Sequence, residues 1–137
     1  MKIFLSGGQK NLDKEDRTSW RKWIKRDLSL DTTVKCEVFD PTEYFDYDLP
    51  YNSERQVMNY DLWNLRNSDI VVVNFNDPNS IGTATEIATA YELRKPIIGL
   101  HEDKTKPVYP WHKEMVDYMA DDLEDLVWYL KLKYLSK

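Results

Sequence analysis

Short apolar runs alternate along the chain with longer stretches in which apolar positions recur every three or four residues. The short runs predict strands at residues 2–6, 34–39, 69–75 and 96–100. Three consecutive valines in the third run are typical of a central strand that is buried on both faces. Strands that alternate with helices predict an α/β fold: an open, doubly wound, mainly parallel sheet of four to five strands with helices on both faces.

The longer stretches have the apolar spacing of amphipathic helices. They predict helices at about residues 16–30, 53–67 and 82–94, a short helix near 113–119, and a final helix that begins near residue 121. Ser53 and Gln56 form the pattern of a capping box at the second helix. Asp121 and Glu124 are expected to cap the last one.

The composition is that of a folded, water-soluble domain. The chain has 137 residues, of which 42% are hydrophobic and 31% charged, and no repeat or linker divides it, so residues 1–137 are predicted to form one domain. The apolar runs are too short to span a bilayer, and no signal peptide pattern precedes the first strand. A single cysteine, Cys36, excludes an internal disulfide, and together these features predict a cytoplasmic protein.

The charge pattern excludes several classes of function. The net charge is −5 and no basic stripe is present, which argues against binding to a nucleic acid duplex. A small phosphorylated ligand stays possible, because the N-terminus of one helix can bind a phosphate. His101 and His112 lack the spacing of metal ligands, so no zinc site is expected.

The segment after the valine-rich strand carries the strongest chemical signal. Ligands of doubly wound sheets bind beyond the carboxyl ends of the strands. Here Gly82 and Thr83 begin a helix, whose free N–H groups favour an anion or a sugar 5′-oxygen. Glu86 follows one turn later, where its carboxylate could attack an anomeric carbon or stabilise an oxocarbenium-like transition state. The alternative is an ordinary surface glutamate in a first helical turn.

Asp61 is the second candidate for chemistry. It falls between Val57 and Leu65 on the apolar side of its predicted helix, where a carboxylate is costly unless it is paired or functional. The alternative is that Asp61 lies at the edge of this stripe and reaches solvent or caps a loop. Two carboxylates in one cleft would form a nucleophile and a proton-handling partner.

Two further segments could contact a ligand. Ser6, Gly7, Gly8 and Lys10 follow the first strand and could hold a phosphate, although they lack the longer glycine-rich nucleotide motifs. The loop 42–52 is rich in rings, and its Tyr44 and Tyr47 could stack on a base. The alternative for this loop is a surface segment that packs its own rings.

The segment GTATEIATAYELRKPII, residues 82–98, resembles the nucleoside 2-deoxyribosyltransferase-like superfamily, which includes a branch of nucleoside 5′-monophosphate N-glycosidases. The resemblance extends to the glycine turn after the first strand, to Phe39-Asp40-Pro41, and to the Asp61 helix that leads into the valine-rich strand. It therefore covers most of the chain. It implies a flavodoxin- or Rossmann-like fold.

The resemblance also implies a mechanism. Glu86 would be the nucleophile that takes 2-deoxyribose as a covalent ester, and Asp61 would position or protonate the base. A second base would then attack in a transferase, and water in a hydrolase. Such enzymes need no cofactor, and neighbouring subunits often complete their sites, which implies a homodimer or a larger homo-oligomer.

Two positions depart from the family pattern. Phe4 occupies the place of a common tyrosine whose hydroxyl supports the catalytic glutamate, which leaves a non-catalytic nucleotide-binding or sequestering module as the alternative function. Ser80 stands six residues before Glu86, where the transferases tend to carry an aspartate that binds the 5′-hydroxyl. Because a hydroxyl can donate to a phosphate that a carboxylate would repel, Ser80 favours a 5′-phosphorylated substrate.

Overall fold

The computed structural model of the protein describes residues 1–50 and 53–136. Strands and helices alternate along these residues in the order β1 (Lys2–Gly7), α1 (Lys14–Leu30), β2 (Glu37–Phe39), α2 (Glu54–Arg66), β3 (Ile70–Asn74), α3 (Ile81–Glu92), β4 (Ile97–Leu100), α4 (Pro110–Met115), β5 (Tyr118–Ala120) and α5 (Leu123–Leu130). A short 3-10 helix, Pro41–Glu43, follows β2, and a π-helical segment, Lys131–Leu135, continues α5. Tyr51 and Asn52, at the end of the predicted ring-rich loop, lie outside the described residues.

The strands form one sheet in the order β2-β1-β3-β4-β5, and each neighbouring pair is parallel. The predicted α/β class is therefore confirmed, with five strands along the described residues. The chain leaves β1 towards β2 and then returns to β3 on the other side of β1. This reversal opens a crevice between the carboxyl ends of β1 and β3, where folds of this strand order bind their ligands.

Each face of the sheet is covered by helices. The apolar sides of α1 and α5 pack on one face, around Ile24, Leu28 and Leu126. On the other face α2 and α3 contribute Leu65 and Ile87 to a second core, which also contains fully buried side chains of β1 and β3. Because β3 is buried on both faces, an unbroken apolar sequence suits it better than an alternating one. No helix in the described part of the chain is long and apolar enough to cross a membrane.

Two local predictions near the C-terminus are wrong. The predicted helix near 113–119 ends early, because Val116 is extended, and the chain then pairs with β4 as the edge strand β5. The last helix is capped by Asp122 rather than by Asp121 and Glu124, since the extended Asp122 accepts a hydrogen bond from the Asp125 N–H at 2.7 Å. The capping prediction for α2 is confirmed in its first half, because Ser53 Oγ accepts from the Gln56 N–H.

Candidate active site

A cleft of about 530 Å³ opens at the crevice between β1 and β3. Helices α2 and α3 form its sides, and the segment after β1 forms its rim. Most residues singled out in the sequence line it, namely Gly7, Lys10, Tyr47, Asp61, Ser80, Gly82, Thr83 and Glu86. Ser6, Gly8 and Tyr44 do not line it, and the structure gives each of them a different neighbour.

Glu86 lies in the second turn of α3, with its side chain mostly buried. The Ser6 hydroxyl donates a hydrogen bond to Glu86 Oε1 at 2.8 Å. Ser6 is 1% exposed and shares a face of β1 with Phe4, because alternate side chains of a strand point the same way. That face is covered by α3, so the strand aims the Ser6 hydroxyl at the helix.

Burial raises the pKa of Glu86 to about 7, and the nearby Asp61 charge adds to this rise. The Ser6 hydrogen bond and the Arg21 charge act in the opposite direction. Desolvation therefore outweighs the helix dipole, which favours an ionised carboxylate near the N-terminus of α3. Near neutral pH this carboxyl group is poised between its neutral and ionised forms.

Asp61 faces the same cleft from α2. Its Oδ1 atom is buried and has no hydrogen-bond partner among the described residues. Burial raises the pKa of Asp61 to about 6, against the opposing charge of Arg21. A buried carboxylate oxygen without a partner is costly, so its position over the cleft indicates an interaction with a ligand.

The N-terminus of α3 forms one end of the cleft. Ser80 caps the helix by accepting hydrogen bonds from the Thr83 N–H at 3.2 Å and from the Thr83 hydroxyl at 2.9 Å. Within the described chain, the N–H groups of Ile81 and Gly82 have no protein acceptor. A Cβ atom on Gly82 would meet nothing within 4 Å, so a ligand can approach the backbone here.

The two glycines after β1 are explained by close packing. A Cβ atom on Gly7 would lie 2.7 Å from the Trp20 ring, and one on Gly8 would lie 2.6 Å from Asp77 Cβ. The Gly8 N–H donates to Asn76 Oδ1, at 3.3 Å. Gly8 is therefore buried under the rim, whereas Gly7 reaches the cleft.

The structure separates the two tyrosines of the ring-rich loop. Tyr47 lines the cleft, and the Arg17 guanidinium lies over its ring, with Arg17 Cζ 5.7 Å from the ring centroid. Tyr44 stacks on Phe39 instead, with ring centroids 5.2 Å apart. Tyr44 thus packs on rings outside the loop, Phe39 of β2 and Tyr60 of α2.

Sequence reasoning missed one charged residue beneath the site. The Arg21 side chain is 1% exposed and lies 3.8 Å from Asp40, and its charge reaches both Glu86 and Asp61. The available signal was its spacing, since Arg21 precedes Ile24 by three residues and therefore falls on the inward side of α1. In the sequence, Arg21 is one of several Arg and Lys residues that stand between the apolar positions of that helix.

The arrangement suits acid–base and nucleophilic chemistry. Two carboxyl groups with raised pKa values face one cleft beside a helix N-terminus. Among residues 1–50 and 53–136, no group of three His, Cys or carboxylate side chains is placed to hold a metal ion. The chain's own groups can thus supply a nucleophile and a proton.

The raised pKa of Glu86 predicts a pH-dependent effect on stability. Between the unfolded value of 4.5 and the native value of about 7, the native state holds this proton more tightly, so its stability falls as the pH rises. Glu86→Gln removes this loss. We expect the variant to be more stable than the wild type at pH 8, by about 1–3 kcal/mol, and about equally stable at pH 4. Urea denaturation at both pH values measures the difference, and a variant less stable at pH 8 would contradict it.

Comparison with known proteins places the chain in a sequence family. The sequence model of the family described as Nucleoside 2-deoxyribosyltransferase matches residues 5–126. A search of curated protein sequences finds no significant match.

Several solved structures share the fold. A conserved protein from Enterococcus faecalis is 19% identical, with a TM-score of 0.77 over 96% of this chain and 98% of that one. A 2-deoxyribosyltransferase from Bacillus psychrosaccharolyticus is 21% identical, with a TM-score of 0.74 over 93% and 90%. A CMP N-glycosidase from Clostridium botulinum is 20% identical, with a TM-score of 0.64 over 96% and 98%. At these identities the likeness establishes the fold.

Proposed function

Since this chain belongs to the nucleoside 2-deoxyribosyltransferase family, we propose that it cleaves the N-glycosidic bond of a 2′-deoxynucleoside or its 5′-monophosphate. The observation that carries the proposal is the pair of carboxyl groups in the β1–β3 cleft. Glu86 is held by the Ser6 hydroxyl, and Asp61 has a buried oxygen without a protein partner. Glu86 is the nucleophile and Asp61 the proton-handling group.

In the first step a carboxylate oxygen of Glu86 attacks C1′ of the sugar. The bond from C1′ to the base nitrogen breaks, and its electron pair leaves with the base. Protonated Asp61 donates its proton to the base, which departs neutral. The products are a deoxyribosyl ester of Glu86, ionised Asp61 and the free base.

In the second step a water molecule or another base attacks C1′ of the ester. The bond from C1′ to the Glu86 oxygen breaks and returns the carboxylate. Asp61 takes the proton that the attacking group loses, which restores the starting state. Between pH 6 and 7 the pair holds about one proton, the number that this cycle requires. Because Glu86 has the higher pKa, that proton lies mostly on Glu86, and the reactive form is the minor one in which Asp61 holds it.

The 5′ end of the substrate is assigned to the N-terminus of α3. The free N–H groups of Ile81 and Gly82, the Ser80 hydroxyl and nearby Lys10 support a 5′-phosphate. Asp77 lines the same cleft and supports a 5′-hydroxyl. Both nucleosides and nucleotides therefore fit this end of the cleft, and incubation with each class separates them.

The base is assigned to the part of the cleft lined by Tyr47 and α2. Val57, Met58 and Leu62 form an apolar wall there, and the Tyr47 ring can stack on a flat base. No metal or organic cofactor is required by this chemistry.

The non-catalytic binding module is the second candidate, and Phe4 is the residue that favours it. Phe4 is fully buried and stacks on Phe39, with centroids 5.4 Å apart, so it offers Glu86 no hydroxyl. Ser6 offers one from the same face of β1. This contact supports turnover over simple binding.

A homodimer or larger homo-oligomer is part of the proposal, as is a cytoplasmic location. Ile81 lines the cleft and is 83% exposed, and Trp63 and Trp111 are 58% and 68% exposed. Large exposed apolar side chains, of which Ile81 lies at the cleft and the two tryptophans lie outside it, suit burial by a second copy. Light scattering after size exclusion should give at least twice 16.4 kDa, and a monomer at micromolar concentration would contradict this part.

The test of the proposed function is liquid chromatography after incubation with each 2′-deoxynucleoside and each 5′-monophosphate, with and without a second free base. Free base released without acceptor identifies a hydrolase, and a new nucleoside that forms only with acceptor identifies a transferase. Substrates that raise the melting temperature but stay intact over hours would favour the binding module and overturn the proposal.

Gly82→Ala separates ligand binding from folding. The added methyl group touches no protein atom and replaces glycine in a helix, so the melting temperature should stay equal or rise slightly. The methyl group enters the cleft beside free N–H groups, so KM should rise about tenfold or more. Thermal unfolding and initial-rate kinetics measure the two effects. An unchanged KM would remove the 5′ end of the substrate from this position.

A further inference from the structure

Strand β1 is longer than its neighbour β2. The last register pair between them is Phe4 with Phe39, whereas β1 continues to Gly7. Carbonyl groups of β1 beyond Phe4 therefore lack a strand partner on this side, and buried carbonyl groups need one. Arg21 of α1 supplies it, because its guanidinium donates to Leu5 O and to Gly7 O.

Ser6 lies between these two carbonyl groups. Its own hydroxyl donates to Glu86 Oε1 on the other face of the sheet from α1. The fixed fork of the guanidinium can hold both flanking carbonyl groups at once, which a lysine ammonium cannot do in the same geometry. The absence of a side chain on Gly7 leaves room for this contact, since a Cβ atom there would lie 3.3 Å from Arg21 Nη2.

We propose that Arg21 is a positioning residue for the reaction, because its guanidinium clamps the backbone on both sides of Ser6 and thereby aims the Ser6 hydroxyl at Glu86. This inference rests on the proposed function, in which Glu86 is the nucleophile. Arg21 touches no substrate and acts through Ser6.

The charges around the clamp agree with this role. The Arg21 guanidinium lies 3.8 Å from Asp40 and 4.7 Å from the Trp20 ring centroid. It also interacts electrostatically with Glu86 of α3 and Asp61 of α2. Burial lowers the pKa of Arg21 and these carboxylates oppose that fall, so the group stays a cation. Its charge favours the ionised form of both Glu86 and Asp61, whereas the Ser6 hydrogen bond favours ionisation of Glu86 alone. The clamp therefore shifts the shared proton from Glu86 towards Asp61, as the first step requires.

A double-mutant cycle of Ser6→Ala and Arg21→Lys tests the proposal on the full-length protein. Arg21→Lys keeps the charge and loses the fork. Each single variant should lower kcat about ten- to hundredfold with KM changed less than about threefold. If Arg21 acts through Ser6, the double variant should lose no more than the worse single variant. Arg26→Lys, at an exposed position of the same helix, is the control and should keep wild-type rates.

A second readout does not depend on turnover. Carbon-detected NMR titration of the Glu86 carboxyl group should show a higher pKa in Ser6→Ala and in Arg21→Lys than in the wild type, with no further rise in the double variant. If these pKa shifts occur but no substrate is turned over, the contact of Arg21 with the backbone around Ser6 is supported and the proposed function is overturned. Additive losses of kcat, or a pKa of Glu86 that Arg21→Lys leaves unchanged, would overturn the clamp. Should Arg21→Lys not fold, Ser6→Ala decides alone, since wild-type kcat with an unchanged Glu86 pKa refutes the proposal.

Discussion

Glu86→Gln is expected to lower kcat by at least about a thousandfold. The amide has the shape of the carboxylate, and its oxygen can still accept the Ser6 hydrogen bond, so the cleft keeps its form. The neutral amide is a poor nucleophile and cannot form the sugar ester. Initial rates of base release with the best substrate of the chromatographic panel measure the loss.

The control for this variant is Glu92→Gln, which changes an exposed carboxylate at the end of the same helix. It should keep wild-type rates. Thermal unfolding of both variants shows whether the fold is intact. A folded Glu86→Gln protein that keeps more than a few per cent of wild-type activity would refute the role of Glu86 as nucleophile.

Asp61→Asn is expected to lower kcat by about a hundredfold or more. An asparagine can fill the space of the buried Oδ1 atom, but it cannot give a proton to the departing base. The loss should be smaller for substrates whose base leaves readily without protonation. Equal losses for good and poor leaving groups would show that Asp61 does not donate the proton.

The pH profile gives a second signature of Asp61. With pKa values of about 6 and about 7 for the pair, kcat/KM of the wild type should follow a bell with its maximum near pH 6.5. The variant lacks the proton donor, so its rate should rise with pH and then level off. Because the Asp61 charge raises the pKa of Glu86, the midpoint of that rise should lie below about 7 in the variant. A bell that persists in Asp61→Asn would assign the alkaline limb to another group.

The fold was readable from the sequence where one local pattern dominates. Val71, Val72 and Val73 lie in a strand that is buried on both faces. An amphipathic helix, which buries only one face, does not place three adjacent side chains in a core. Ser53 caps α2 through a contact three residues away, which sequence spacing alone specifies. The edge strand β5 was missed because it has three residues, two of them only half-buried.

The candidate site could be predicted only in part from the sequence, because only some of its features follow from one local pattern. Asp61 could be identified from the sequence as a carboxylate on an apolar stripe. Glu86 could be identified as an acid in the first turns of a helix that follows a buried strand. Both line the cleft. The role of Arg21 depends on where β2 stops along β1, and that register is a tertiary property. The choice of Tyr47 over Tyr44 likewise depends on how Phe39 stacks on one ring of the loop.

The stereochemistry of transfer is the most direct test of a covalent sugar ester on Glu86. The chain is incubated with a β-configured 2′-deoxynucleoside or its monophosphate, with a second base or methanol as acceptor, and NMR gives the configuration at C1′ of the product. Attack by Glu86 and then by the acceptor inverts C1′ twice, so we expect a β product. An α product would show a single displacement and contradict the Glu86 ester. No product with any substrate of the panel would contradict cleavage of the N-glycosidic bond itself.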